Sequence, residues 1–256
     1  MKVYLSNLIY QKFVSLPETQ GDRSNNAQRK FAAVVPRKEI WSENCISPTN
    51  KAHVIESLVS IVNQAYLIGE HSMWKENIRT NPRDIENKLL NEMLILLVSL
   101  GEETESNENK IENIVIDQNT IMGQILCNPQ FDIEGRRAEF GMFAVEQKYQ
   151  NLGLGTFLIS AAEERTKACG CKSLQCEVLS PSKFEHDIKI RLSTWYQKLG
   201  YEKEIEKDED GKPVLLEDGS EKTKDFFRSF WTTEFAHLTS NLSVECKLEV
   251  FVKNLV

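Results

Sequence analysis

Phe140-Gly-Met-Phe-Ala-Val-Glu-Gln-Lys-Tyr-Gln-Asn-Leu-Gly-Leu-Gly155, with the residues that follow it, decides how this chain is read. Ala138, Phe140, Met142 and Ala144 alternate with Glu139, Gly141, Phe143 and Val145, the period of a strand with two distinct faces. Gln147 to Leu152 is polar and ends the alternation. Gly153 and Gly155 are expected to adopt backbone conformations closed to other residues, with no side chain between amide and ligand. From Thr156 the spacing predicts a helix with Leu158, Ala161, Ala162 and Arg165 on one side, closed by Gly170. A glycine loop feeding a helix leaves unpaired amides and a positive dipole end facing one spot, which suits a phosphate.

The spacing excludes two phosphate ligands. The dinucleotide fingerprint needs a third glycine, and position 158 is Leu158. The nucleoside-triphosphate loop needs a lysine after its last glycine, and Gly155 is followed by Thr156-Phe157. The pattern present is Gln150-x-x-Gly153-x-Gly155. Preceded by Ala138 to Val145 and followed by Trp195-Tyr-Gln-Lys-Leu-Gly-Tyr201, it resembles the GNAT superfamily of N-acetyltransferases, and its small-molecule branch in particular.

That resemblance implies a fold and a chemistry. The fold is α+β, three layers: a mixed, mostly antiparallel sheet of about seven strands, splayed between the fourth and fifth, with helices on both faces. The co-substrate is acetyl-coenzyme A. Its pyrophosphate would lie on Gln150, Asn151, Leu152, Gly153, Leu154, Gly155 and Thr156. Its pantetheine would pair with the main chain of Phe143, Ala144 and Val145, an amide near Phe143 polarising the thioester carbonyl. Tyr196 matches the tyrosine that protonates the leaving thiolate, and a phenol of pKa near 10 carries that proton at neutral pH. Glu139 matches, by its distance from Gln150, the glutamate that acts as base in the histone-acetylating branch. It reads either as the base, which needs a raised pKa or an intervening water, or as a structural residue of the sheet face. Many relatives carry Asn seven positions before the tyrosine, touching the cofactor; here that position is Lys189. Cys176 is discounted as a nucleophile, because direct transfer needs none and no histidine is near in sequence.

The remaining chain is read in order. Residues 1–29 form a poorly defined N-terminal extension, and 30–256 a single acetyltransferase domain. Lys30 to Pro36 reads as a first strand. A helix capped at Thr49 or Asn50 runs to Glu70, and Asn63-Gln-Ala-Tyr66 resembles the first helix of small-molecule relatives. Asn81 caps a second helix, with Pro82 at its first position. By the resemblance this pair borders the acceptor pocket, so Tyr66, Glu70 and Trp74 are the acceptor-binding candidates, with an aromatic wall at Phe226 to Trp231. Met93 to Leu100 is a central strand, Gly101 to Glu112 an acidic hairpin tip, and Thr120 to Cys127 the partner strand. Leu174 to Val178 gives a fifth strand, Ile188 to Lys198 a helix, Tyr201 to Lys207 a short strand, Asp208 to Lys224 an acidic insertion, and Val244 to Val252 a closing strand.

Composition narrows the partners. The chain has 256 residues, 41% hydrophobic and 27% charged, with a net charge of -7. Nucleic-acid binding through a broad basic face is not expected, and a cationic acceptor is favoured; the resemblance implies the primary amine of a small molecule. A protein or peptide acceptor, or a non-catalytic acyl-coenzyme A-binding module, are the alternatives. Six scattered cysteines and four histidines make no metal-ligand spacing. No signal-like or membrane-spanning run is read, so a cytoplasmic, possibly also nuclear, monomer or homodimer is expected.

Overall fold

The computed structural model describes residues 2–4, 8–16, 29–41, 46–76, 78–100, 113–224 and 242–255. The expectations for Gly101 to Glu112 and for the aromatic wall at Phe226 to Trp231 fall outside them. The elements in order are β1 (Lys2–Tyr4), β2 (Leu8–Leu16), β3 (Arg29–Pro36), α1 (Pro48–Gly69), α2 (Pro82–Leu90), β4 (Leu94–Leu100), β5 (Asn113–Val115), β6 (Ile121–Asp132), β7 (Arg137–Val145), α3 (Leu154–Ala168), β8 (Ser173–Pro181), α4 (Asp187–Lys198), β9 (Glu202–Lys203) and β10 (Cys246–Asn254). β1 and β5 form a small antiparallel pair. The main sheet is open, with strand order β2-β3-β4-β6-β7-β8-β10-β9. It has eight strands against the expected seven or so. One addition is β2, which pairs antiparallel with β3. The expected strand Tyr201 to Lys207 shortens to Glu202–Lys203, and the partner strand expected to end at Cys127 runs on to Asp132.

The chain forms two compact units. The first comprises residues 1–66, 78–128 and 140–169; the second 67–77, 129–139 and 170–256. In the first, strand alternation assigns each face its helices. Ala32, Val34, Leu94, Leu96 and Val98 pack with Val54, Leu58, Ile61 and Val62 of α1 and with Ile85 and Leu89 of α2. α2 begins as expected: the Asn81 side chain accepts from the Asp84 amide at 3.0 Å, and Pro82 takes the first position, where its missing N–H costs nothing. α3 packs against β2, β3 and β4 through its buried Leu158, Ala161, Ala162 and Arg165 side. Gly123 of β6 is fixed by close approach: a Cβ there would sit 2.5 Å from the Ala144 carbonyl oxygen.

In the second unit β8 pairs antiparallel with β10 along its length and parallel with β7 over Arg137–Glu139. α4 packs on β8, with Tyr196 against Tyr201 and Phe251. The acidic insertion folds on itself through bridges Ile205–Thr223, Lys207–Pro213 and Leu215–Glu221, and it leaves Leu215 and Leu216 exposed.

Candidate active site

The strand that organised the reading is β7. It is regular to Gly141, and then Met142 takes φ 43, outside the strand region for a residue with a side chain. A left-handed residue within a strand kinks it and redirects its peptide groups, as a bulge does. The parallel ladder to β8 covers Arg137, Ala138 and Glu139.

After Val145 the chain makes a short 3₁₀ turn, Gln147–Tyr149, and enters α3 at Leu154. Tyr149 anchors this loop edge-on to Phe31 of β3, at 6.3 Å between ring centres. The Gln150 side chain donates from Nε2 to the Val145 carbonyl at 3.0 Å, so it braces the loop against the strand it leaves. Asn151 and Gly153 are both left-handed, at φ 62 and 81. Leu152 lies between them. Gly153 is the N-cap residue and offers no side-chain acceptor, so position alone leaves the amides of Leu154, Gly155 and Thr156 without an intrahelical partner. A Cβ on Gly153 would meet no atom within 4 Å, so the space above these amides is open. This is a cradle a phosphate fits. Only one of the two loop glycines has the expected role. Gly155 lies in the first turn of α3, where its backbone is helical.

The second unit holds the titratable candidates. Glu139 is largely buried on β7, and its carboxyl is pushed up to about 7: burial raises it most, the Glu177 carboxylate raises it further, and the Gln175 amide pulls it down. Tyr196 is 5% exposed, its ring between Trp195, Tyr201 and Phe251. Its place on α4 follows from the helix's apolar side, and the turn after α4 closes on Gly200. The Cys176 thiol lies well above its ordinary value, through burial and then the Glu177 and Glu139 carboxylates, which agrees with discounting it.

Glu70 departs from its expected place. It is 3% exposed, and its two carboxylate oxygens face internal donors: Lys189 Nζ at 3.1 Å and Trp74 Nε1 at 2.5 Å. A carboxylate held in this way is part of the framework rather than an open cation site. Trp74 is fixed in turn by a bridge to Leu242, and Ser243 bonds the carbonyls of Met73 and Ser72. Lys189, whose role the sequence leaves open, is thus the partner of Glu70. Tyr66 sits in the first unit, partly buried against its core, with the Arg79 guanidinium 5.0 Å over its ring. Sequence reasoning missed Gln175 and Glu177, and their only signal was their place on the strand beside Glu139. Among the described residues no group of three or more metal-ligating side chains is gathered, and no helix is long and apolar enough to cross a membrane.

The open, mostly antiparallel sheet with its helices is an α+β fold, with the braced loop at the entrance of α3. Residues 82–187 match the acetyltransferase (GNAT) family. The matched segment runs from the start of α2 to the first residue of α4, so Tyr196 lies beyond it. No curated protein matches the sequence. Among solved structures, the chain is similar to YncA of Salmonella typhimurium with its cofactor acetyl-CoA, at 16% identity over 80% of this chain and 90% of that one, TM-score 0.41. It is also similar to an aminoglycoside 6'-N-acetyltransferase complexed with coenzyme A, at 14% identity over 79% and 91%, TM-score 0.44. A third is the PaiA N-acetyltransferase of Thermoplasma acidophilum with coenzyme A, at 11% identity over 88% and 98%, TM-score 0.45.

Proposed function

We propose that the chain transfers an acetyl group from acetyl-coenzyme A directly to the primary amine of a small molecule. The observation that carries this reading is the open helix entrance at Asn151 to Thr156, within the segment that matches the acetyltransferase (GNAT) family. Acetyl-coenzyme A, when bound, supplies an activated thioester. The amides of Leu152 to Thr156 hold its pyrophosphate through charge-assisted hydrogen bonds. Main chain at Phe143 to Val145, past the end of the parallel ladder to β8 at Glu139, orients the pantetheine. Glu139 takes a proton from the acceptor ammonium onto its carboxylate. Tyr196 would give its phenolic proton to the departing thiolate and regain one from the nitrogen that becomes the amide. An ordinary carboxylate is a poor base for an amine, and a pKa of about 7 narrows the gap. The acceptor-side residues are Tyr66 and Trp74, with Glu70 acting through the segment it fixes.

The test is a panel of amines with acetyl-coenzyme A, read by release of free thiol. Glu139 works only when ionised, so kcat/KM should fall about tenfold per pH unit below about 7. Glu139→Gln should lose that limb together with most of the turnover. The same substitution should stabilise the fold. A carboxyl whose folded pKa is raised from 4.5 to about 7 is destabilising once charged, and stability is lost as pH rises through that window. At pH 8, Glu139→Gln should therefore gain up to about 3 kcal/mol in denaturant unfolding. Full turnover in Glu139→Gln would remove it from the chemistry.

Gly153→Val tests the cradle. A β-branched residue is strained at φ 81, and its side chain would stand in the open space over the amides. Coenzyme A affinity should drop about 10- to 100-fold by calorimetry. Unchanged affinity in a folded protein would move the pyrophosphate elsewhere.

A further inference from the structure

Gln175 stands beside Glu139 in a way the mechanism above does not use. The two are Cα partners in the parallel ladder of β7 and β8, so their side chains share one face. Arg137, two residues before Glu139, lies on that face too. It donates from Nη1 to the Gln175 Oε1 at 3.1 Å and to Glu204 Oε1 at 2.9 Å. Glu204 also takes Lys224, at 3.4 Å. The guanidinium has no lone pair to accept with, so the end of the amide that meets it must be the carbonyl. That fixes the amide's orientation, and Nε2 is left at the other end. Gln175 is 2% exposed, and its Nε2 makes no hydrogen bond among the described residues. A buried amide donor without a partner, held by its carbonyl alongside a carboxyl, is an uncommon arrangement in a folded protein.

We propose that Gln175 is the positioning residue of Glu139: Arg137 pins its carbonyl, and its amide N–H meets the Glu139 carboxylate as that group takes up and gives up the acceptor's proton. The proposal rests on the reading of Glu139 as the base. The donor favours the ionised carboxylate and orients one oxygen, which leaves the other for the ammonium. It also opposes the two influences that raise the group, burial and Glu177. The surrounding charges are few. β8 contributes Glu177, and Cys176 with its raised thiol. β7 contributes Arg137, whose charge is balanced by Glu204. At the β10 positions paired with Gln175 and Glu177 stand Val252 and Val250. Asp132, at the end of β6, accepts from the Gly135 amide in its own turn, at 2.9 Å.

The experiment is a carbon-13 titration of the Glu139 side-chain carboxyl in the full chain, assigned by its loss in Glu139→Gln. In Gln175→Met, which keeps the volume and removes the donor, the midpoint should rise from about 7 by about one unit. The acid limb of kcat/KM should rise with it. A second measurement needs no variant at position 175. The Gln175 side-chain NH2 resonances of the wild-type chain should shift with the Glu139 midpoint, and that dependence should vanish in Glu139→Gln. A residue that only fills space would leave both readouts unmoved. An unchanged midpoint in a folded Gln175→Met protein, or amide resonances blind to the Glu139 titration, overturns the proposal. If the midpoint moves while Glu139→Gln retains full transfer, the base assignment fails and the positioning role stands.

Discussion

Tyr196→Phe lowers turnover roughly 10- to 1,000-fold and leaves coenzyme A affinity within about twofold of wild type. The ring is buried among Trp195, Tyr201 and Phe251, and phenylalanine keeps those contacts. The only group removed is the hydroxyl, so a change in folding is not the expected cause of the loss. If the hydroxyl protonates the departing thiolate, its removal raises the barrier of transfer and not the energy of the bound state. kcat and kcat/KM then fall together, and single-turnover rates fall by the same factor. Weak leaving thiols should suffer most, because they depend most on the donated proton. Full activity at saturating substrate would mean that the thiolate leaves unaided or takes its proton from water.

Lys189→Met destabilises the protein by about 3–5 kcal/mol in denaturant unfolding at neutral pH. The pair it breaks is buried on both sides, with side-chain exposures of 8% for Lys189 and 4% for Glu70. Methionine fills similar volume and removes the cation that faces Glu70. A buried carboxylate that loses its cation is costly only while charged, so Lys189→Met should be nearest wild type at low pH and lose stability as pH rises. Adding Glu70→Gln should restore much of the loss, because the neutral amide needs no counter-charge. Equal stability of the single and double variants across pH would mean that the two charges do not depend on each other. The assignment also bears on the site. An ammonium already bonded to Glu70 at 3.1 Å holds the carboxylate that in turn holds Trp74.

The loop and its flanks were legible because their causes are local. The period of two before Val145, the glycine at position 153 and the Asn81-Pro82 helix start act through one or two turns of chain, and each appears where the residues put it. β2 was less legible. It is the edge strand of the sheet, and Lys12 to Ser15 alternate only between half-buried and exposed, so hydrophobic patterning is faint. Gly155 was misjudged because a glycine permits a left-handed backbone without requiring one, and the helix claims that residue.

The sequence by itself determined the glycine loop that opens α3, the segment that matches the acetyltransferase (GNAT) family, and which residues stand as acid and base candidates. These depend on residue type and short spacing. Tertiary structure alone decided what those groups are worth. Glu139 is an ordinary carboxyl until burial and Glu177, 38 residues on, raise it to about 7, with Gln175 beside it. Glu70 would attract a cation from solvent until folding brings Lys189, 119 residues away, to its carboxylate. Charge and burial act through space, and space between distant residues is set by the fold.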